Sequence, residues 1–98
     1  MTKADIVDKV ASGTGLTKLE TEAIIEGFFK TVIDSLREGK GIEIRGFGSY
    51  RVKKKNPRQA RNPKTGEQVH VPAHYVPTFK FSKDFKLLVD QGMKEDKK

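Results

Sequence analysis

From Leu19 to Leu36 the apolar residues come in adjacent pairs, Ile24-Ile25, Phe28-Phe29 and Val32-Ile33, with Leu19, Ala23 and Leu36 completing the run. Spacings of three and four residues set them along one side of a helix, and the doubled positions make that side unusually broad. Thr17, followed three residues later by Glu20, is a capping box that starts the helix, and Gly39 and Gly41 close it after about Glu38. A chain of 98 residues has little else to lay against such a surface. The excursion from Asn56 to Ala73 and the charged end from Gly92 to Lys98 add no obvious core, leaving about seventy residues, near the lower limit for a self-sufficient domain. The surplus predicts a second copy of the chain. Two long helices cross in a two-fold dimer, with Phe28, Phe29, Val32 and Phe47 at the seam. The alternative is a monomer with an overly apolar helix.

The rest reads as short elements around that helix. Thr2, with Asp5 three residues on, opens a first helix whose Ile6, Val7, Val10 and Ala11 share a face, and Gly13 and Gly15 stop it. Ile42 and Ile44 alternate with Glu43 and Arg45 as a half-buried strand does. Gly46-Phe47-Gly48 is a tight reversal into a strand with Tyr50 and Val52 on one side and Ser49, Arg51, Lys53 and Lys55 on the other. A third strand, Val76 to Phe81, has Phe79 and Phe81 on one face and Thr78 and Lys80 on the opposite one. Ser82 caps a last helix that buries Phe85, Leu88 and Val89, and a disordered charged tail begins at Gly92. The expected fold class is α+β: one domain over residues 1–91, an arm at about 56–73, and a tail at 92–98.

Charge is concentrated. Arg51, Lys53, Lys54, Lys55, Arg58, Arg61 and Lys64 form a cationic stretch without a carboxylate, while the other thirteen basic residues balance thirteen acidic ones. That stretch therefore carries the whole net charge of +7, and it points to a polyanionic partner. Beyond it, Asn62-Pro63-Lys64-Thr65-Gly66 suits a hairpin tip: Asn starts turns, Pro fixes φ, and Gly permits the left-handed return. The arm is then a two-stranded ribbon. Arg58 and Arg61 on one limb present planar cations for a groove of strong negative potential, and Pro63 is a compact wedge able to part stacked base pairs.

Gly46-Phe47-Gly48, the Arg61-to-Gly66 tip and Val76-Pro77-x-Phe79-Lys80 strongly resemble the bacterial HU and integration host factor proteins, from about Thr2 to Gln91. "IEIRGFGSY", "RNPKTG" and "YVPTFK" look closest to the beta subunit of integration host factor. The resemblance implies an intertwined dimer with a helical base, a three-stranded antiparallel saddle and extended β-ribbon arms. It implies a cytoplasmic, nucleoid-associated protein that binds double-stranded DNA in the minor groove and bends it by intercalating Pro63. Phosphate contacts map onto Lys3, Lys53, Lys55, Lys80, Lys83 and Lys86, with Arg45, Arg51, Arg58, Arg61, Asn62 and Lys64 completing the DNA-binding set. A Glu-x-Arg pair, Glu43 and Arg45, corresponds to one that takes part in sequence preference. Ser82 departs from the family pattern, standing where a Gly often precedes the last helix. The partner subunit is either an identical chain or a related one.

Other readings are weaker. Arg51 to Lys55 also fits an ordinary edge strand protected by lysine. His70 and His74 are four apart, but Pro72 interrupts them and no thiol or carboxylate completes a metal site. Gly46-x-Gly48 is not followed by the helix of a nucleotide loop. No catalytic grouping, cofactor site or small-molecule site is expected, and the absence of cysteine fits a reducing compartment. No apolar run is long enough for a membrane span. An RNA-binding basic protein is the alternative, although A-form RNA offers a wide, shallow minor groove that a ribbon grips differently. Binding to anionic lipid would call for a basic amphipathic helix, whereas these cations lie on strands.

Overall fold

A computed structural model describes residues 1–95. Two helices come first, α1 (Lys3–Thr14) and α2 (Lys18–Arg37). Both begin with a complete capping box: Thr2 and Asp5 exchange hydrogen bonds at the start of α1, Thr17 and Glu20 at the start of α2. Gly13 does not stop α1. Gly15 does, with φ +78° and its N–H donated to the Ala11 carbonyl oxygen at 3.0 Å.

Three strands, β1 (Ile42–Ile44), β2 (Gly48–Lys55) and β5 (His74–Phe81), form an antiparallel sheet in the order β1-β2-β5. Gly46, at φ +79°, makes the reversal between the first two, and the Phe47 N–H donates to the Ile44 carbonyl oxygen at 3.0 Å. β3 (Arg58–Arg61) and β4 (Gln68–Val71) pair only with each other, as the separate ribbon expected between Asn56 and Ala73. β5 begins at His74, two residues ahead of the expected Val76. β2 is flanked on both sides only along Gly48–Tyr50; from Arg51 to Lys55 it pairs with β5 alone, so its lysines do lie along a strand edge that β1 leaves open.

The last helix, α3 (Lys83–Glu95), starts with the Ser82 hydroxyl accepting from the Phe85 N–H at 3.0 Å. It passes through Gly92, correcting the expectation of a disordered tail from that residue. One glycine weakens a helix by about 1 kcal/mol without breaking it, and Asp90 and Lys94 pair across it at 2.9 Å. Residues 96–98 of the expected tail lie outside the described residues.

The aromatic core hangs on the sheet. Phe47 contacts Phe79 and Phe85 edge-on with centroids at 5.7 and 5.2 Å, and Tyr50 and Phe81 flank Phe79 at 4.7 and 4.8 Å. Among the described residues only Val7, Ala11, Thr21 and Gly48 are buried. The radius of gyration is 19.0 Å, against about 13 Å for a compact domain of 100 residues. Leu88 and Val89, expected inside, are 68% and 52% exposed, and α3 buries no residue. Phe28, Phe29 and Phe47 of the expected seam are exposed and Val32 is half-buried. The single chain has an open apolar interior rather than a closed core, which is the surface a second copy covers.

Candidate nucleic-acid interface

Strand register builds the interface. Ser49 pairs with Lys80, Arg51 with Thr78, Lys53 with Val76 and Lys55 with His74, and directly opposed residues share a face. The reverse face carries Gly48 with Phe81, Tyr50 with Phe79, Val52 with Pro77 and Lys54 with Tyr75. Aromatic packing fixes that second face inward, so Lys53, Lys55 and Lys80 look outward. Lys54 belongs to the apolar side by alternation. Arg51 packs against Gly41 and donates from Nη1 to the Tyr50 carbonyl oxygen at 3.5 Å, which turns it toward β1.

At the β1 end of this face an open groove is lined by Glu43, Arg45, Ser49, Lys80, Lys83 and Lys86. Three elements meet there. Glu43 pairs with Ser49, which in turn pairs with Lys80, while Lys83 and Lys86 come from the first turn of α3, whose free N–H groups favour an anion. None of Arg45, Lys53, Lys55, Lys80, Lys83 and Lys86 has an ion-pair partner among the described residues. Lys3 differs. The Glu26 carboxylate, hydrogen-bonded to it, holds its ammonium above the ordinary 10.5, and it stands on α1 outside the groove.

The ribbon continues from the cationic strand. Arg58 pairs with Val71, Gln59 with His70, Ala60 with Val69 and Arg61 with Gln68. Arg58 and Arg61 therefore project from opposite faces of one limb, which puts a cation on each side of the ribbon. At the tip, Asn62 N–H donates to the Glu67 carbonyl oxygen at 2.8 Å and Gly66 N–H to the Asn62 carbonyl oxygen at 2.7 Å. The Asn62 side chain accepts from Lys64 N–H at 2.9 Å, and Gly66 has φ +77°. Pro63 and Lys64 stand exposed at the end of this closed turn.

The sequence model of the family described as bacterial DNA-binding protein matches residues 1–90. The chain belongs to that family. It is 42% identical over 93 residues to an integration host factor subunit alpha from Psychrobacter arcticus, covering 95% of this chain and 94% of that one. It is 41% identical over 98 residues to an integration host factor subunit beta from Nitrosomonas europaea, covering 99% and 93%. Whole-chain identity thus does not separate the subunit types. An HU from Anabaena, solved in a cocrystal with DNA, superposes with a TM-score of 0.85 at 35% identity, over 91% of this chain and 97% of that one. HU from Thermotoga maritima superposes at 0.67 with 27% identity, over 91% and 98%.

In this family member the sequence-derived residues fall into three groups: the groove set of Arg45, Lys80, Lys83 and Lys86, the strand set of Arg51, Lys53 and Lys55, and the arm set of Arg58, Arg61, Asn62, Pro63 and Lys64. From the sequence alone His74 reads only as a metal-ligand candidate. The structure puts it on the outward face beside Lys55, and on a different strand from His70. Extending the alternation back from Thr78 and Lys80 reaches it. Among the described residues no group of His, Cys, Asp and Glu is arranged to hold a metal, and no helix is long and apolar enough to cross a membrane.

Proposed function

We propose that this protein is a dimeric architectural component of the nucleoid that grips double-stranded DNA from its minor-groove side and bends it. The observation that carries the reading is the continuity of the outward cationic strand with a ribbon that ends in an exposed proline. Lys53, Lys55, Lys80, Lys83 and Lys86 hold phosphates, and Arg58 and Arg61 reach either side of the groove. Pro63 wedges between base pairs, as apolar residues of minor-groove architectural proteins do. Two copies, with Phe28, Phe29 and Val32 between them, present two arms to one duplex. The partner is duplex DNA, the action is mechanical, and no bond is made or broken.

A sequence-preferring role as an integration host factor subunit is the second reading. The placement of Glu43 and Arg45 in the same groove as Lys80 favours it. One footprinting experiment on a genomic fragment and on a random duplex pool tests both: a sharp protected site supports the second reading, diffuse protection supports a general bending protein, and no protection excludes DNA binding.

A further inference from the structure

We infer that His74 is a phosphate ligand of this interface that engages only in its protonated form, so that affinity for duplex DNA rises as pH falls through the imidazole range. The inference rests on the DNA-binding reading above and adds to it a residue and a dependence.

His74 is exposed at the start of β5, directly opposite Lys55 and on the outward face with Lys53 and Lys80. Its Nδ1 lies 3.0 Å from the Pro72 carbonyl oxygen. A carbonyl oxygen can only accept, so Nδ1 carries the hydrogen and donates. The neutral ring then has a lone pair at Nε2, which has nothing to offer a phosphate oxygen. Protonation converts Nε2 into a charged donor, the form that binds phosphate strongly.

His70 is wired the other way. Its Nδ1 is 3.4 Å from Nε2 of Gln59, an amide nitrogen that only donates, so Nδ1 accepts and the neutral ring carries its hydrogen on Nε2. His70 thus already offers a neutral donor at Nε2, and protonation adds charge there without adding a donor at that atom. The gain on protonation belongs to His74.

The charged and titratable groups around His74 are Lys53 and Lys55 on its own face, Lys54 and Tyr75 on the reverse face, and Arg58 and His70 on the ribbon. Glu67, at the far end of the ribbon, is the only carboxylate between Glu43 and Asp84. The strands themselves therefore offer no counter-ion to an imidazolium at His74, and a DNA phosphate supplies one. Proton uptake and DNA binding at this position favour each other reciprocally.

The test is fluorescence anisotropy of the full-length protein with a labelled duplex, titrated with salt at about pH 5.5 and about pH 8, on either side of the imidazole range. The expected result is a log–log salt slope steeper by about 0.9 per arm at the lower pH, with tighter binding. His74→Gln should bind as the unmutated protein does at high pH and lose the steepening, His74→Lys should hold the low-pH slope at both values, and His70→Gln should keep the response. A pH response that survives His74→Gln, or vanishes in His70→Gln, overturns the assignment to His74. Salt-sensitive binding that ignores pH overturns the inference alone. No binding at either pH overturns the DNA reading and takes the inference with it.

Discussion

The ring of Phe79 stands where a side chain on Gly48 would begin. A Cβ there would collide with its Cζ and lie 2.5 Å from the Lys80 carbonyl oxygen, both on the neighbouring strand. The glycine brings β2 and β5 together at the point where the aromatic cluster meets the groove. Gly48→Ala should therefore destabilise the protein by about 1–3 kcal/mol, the usual range for overpacking a filled core. Thermal unfolding at fixed protein concentration measures it, and an unchanged melting temperature would contradict the packing described.

Pro63 is held out by a turn that closes on itself, so its replacement leaves the ribbon intact. Pro63→Ala should reduce DNA bending, followed by energy transfer between labelled duplex ends, more than it reduces affinity. Nicked or mismatched duplexes should narrow the difference, because bending a straight site costs on the order of 1–6 kcal/mol that a flexible one does not. Equal bending by the variant would remove the wedge.

The groove lysines should act through phosphate neutralisation. Lys83→Ala is expected to lower the salt slope by about 0.9 per subunit and to weaken binding to all sequences alike. A sequence-selective loss would instead place Lys83 at a base edge.

At the start of α2, the Glu20 carboxylate accepts from the N–H and hydroxyl of Thr17, each at 3.0 Å, and these bonds hold it below its ordinary value of 4.5. A depressed carboxylate stabilises the fold above its unfolded pKa, and that contribution disappears as pH falls through the folded one. Glu20→Gln should flatten this part of the acid limb of a stability–pH curve by lowering stability at neutral pH, with the two proteins converging in acid, where the Glu20 contribution is gone. Thr17→Ala, which removes the cap itself, should cost about 1 kcal/mol at neutral pH. Circular dichroism during acid titration reads both.

Because Phe28, Phe29 and Ile33 are exposed on a single chain, Phe28→Asp should abolish association and unfold the protein at the same time. Sedimentation together with far-ultraviolet circular dichroism checks this. A variant that still dimerises would show that the apolar face of α2 is not the seam, and a folded monomer would show that the subunit folds without its partner.

The helix starts were legible because Thr2 with Asp5 and Thr17 with Glu20 encode their own hydrogen bonds. So was the ribbon tip, where Asn62, Pro63 and Gly66 each supply a different requirement of the turn. The end of α3 was not: a lone glycine resembles a stop signal, whereas the helix runs on through Gly92 with Asp90 and Lys94 paired across it. The outward positions of Lys53, Lys55 and Lys80 followed from alternation. The gathering of Lys80 with Arg45, Lys83 and Lys86 into one groove depends on β2 pairing with both β1 and β5, which no local pattern announces. Leu88 and Val89 read as inside because apolar periodicity reports that a face is covered, not which chain covers it. The role of His74 was hidden for a related reason, since its value depends on Lys55 across the register and on Pro72 behind the ring.

The thin interior of the isolated subunit has a consequence for the cell. With four buried residues among those described, a newly released polypeptide is barely folded until it meets its mate, and its folded fraction climbs with abundance. Unmated copies are natural prey for quality-control proteases. If the mate is encoded separately, surplus production of either one is trimmed by turnover, and the scarcer of the two sets how much bending activity the chromosome receives.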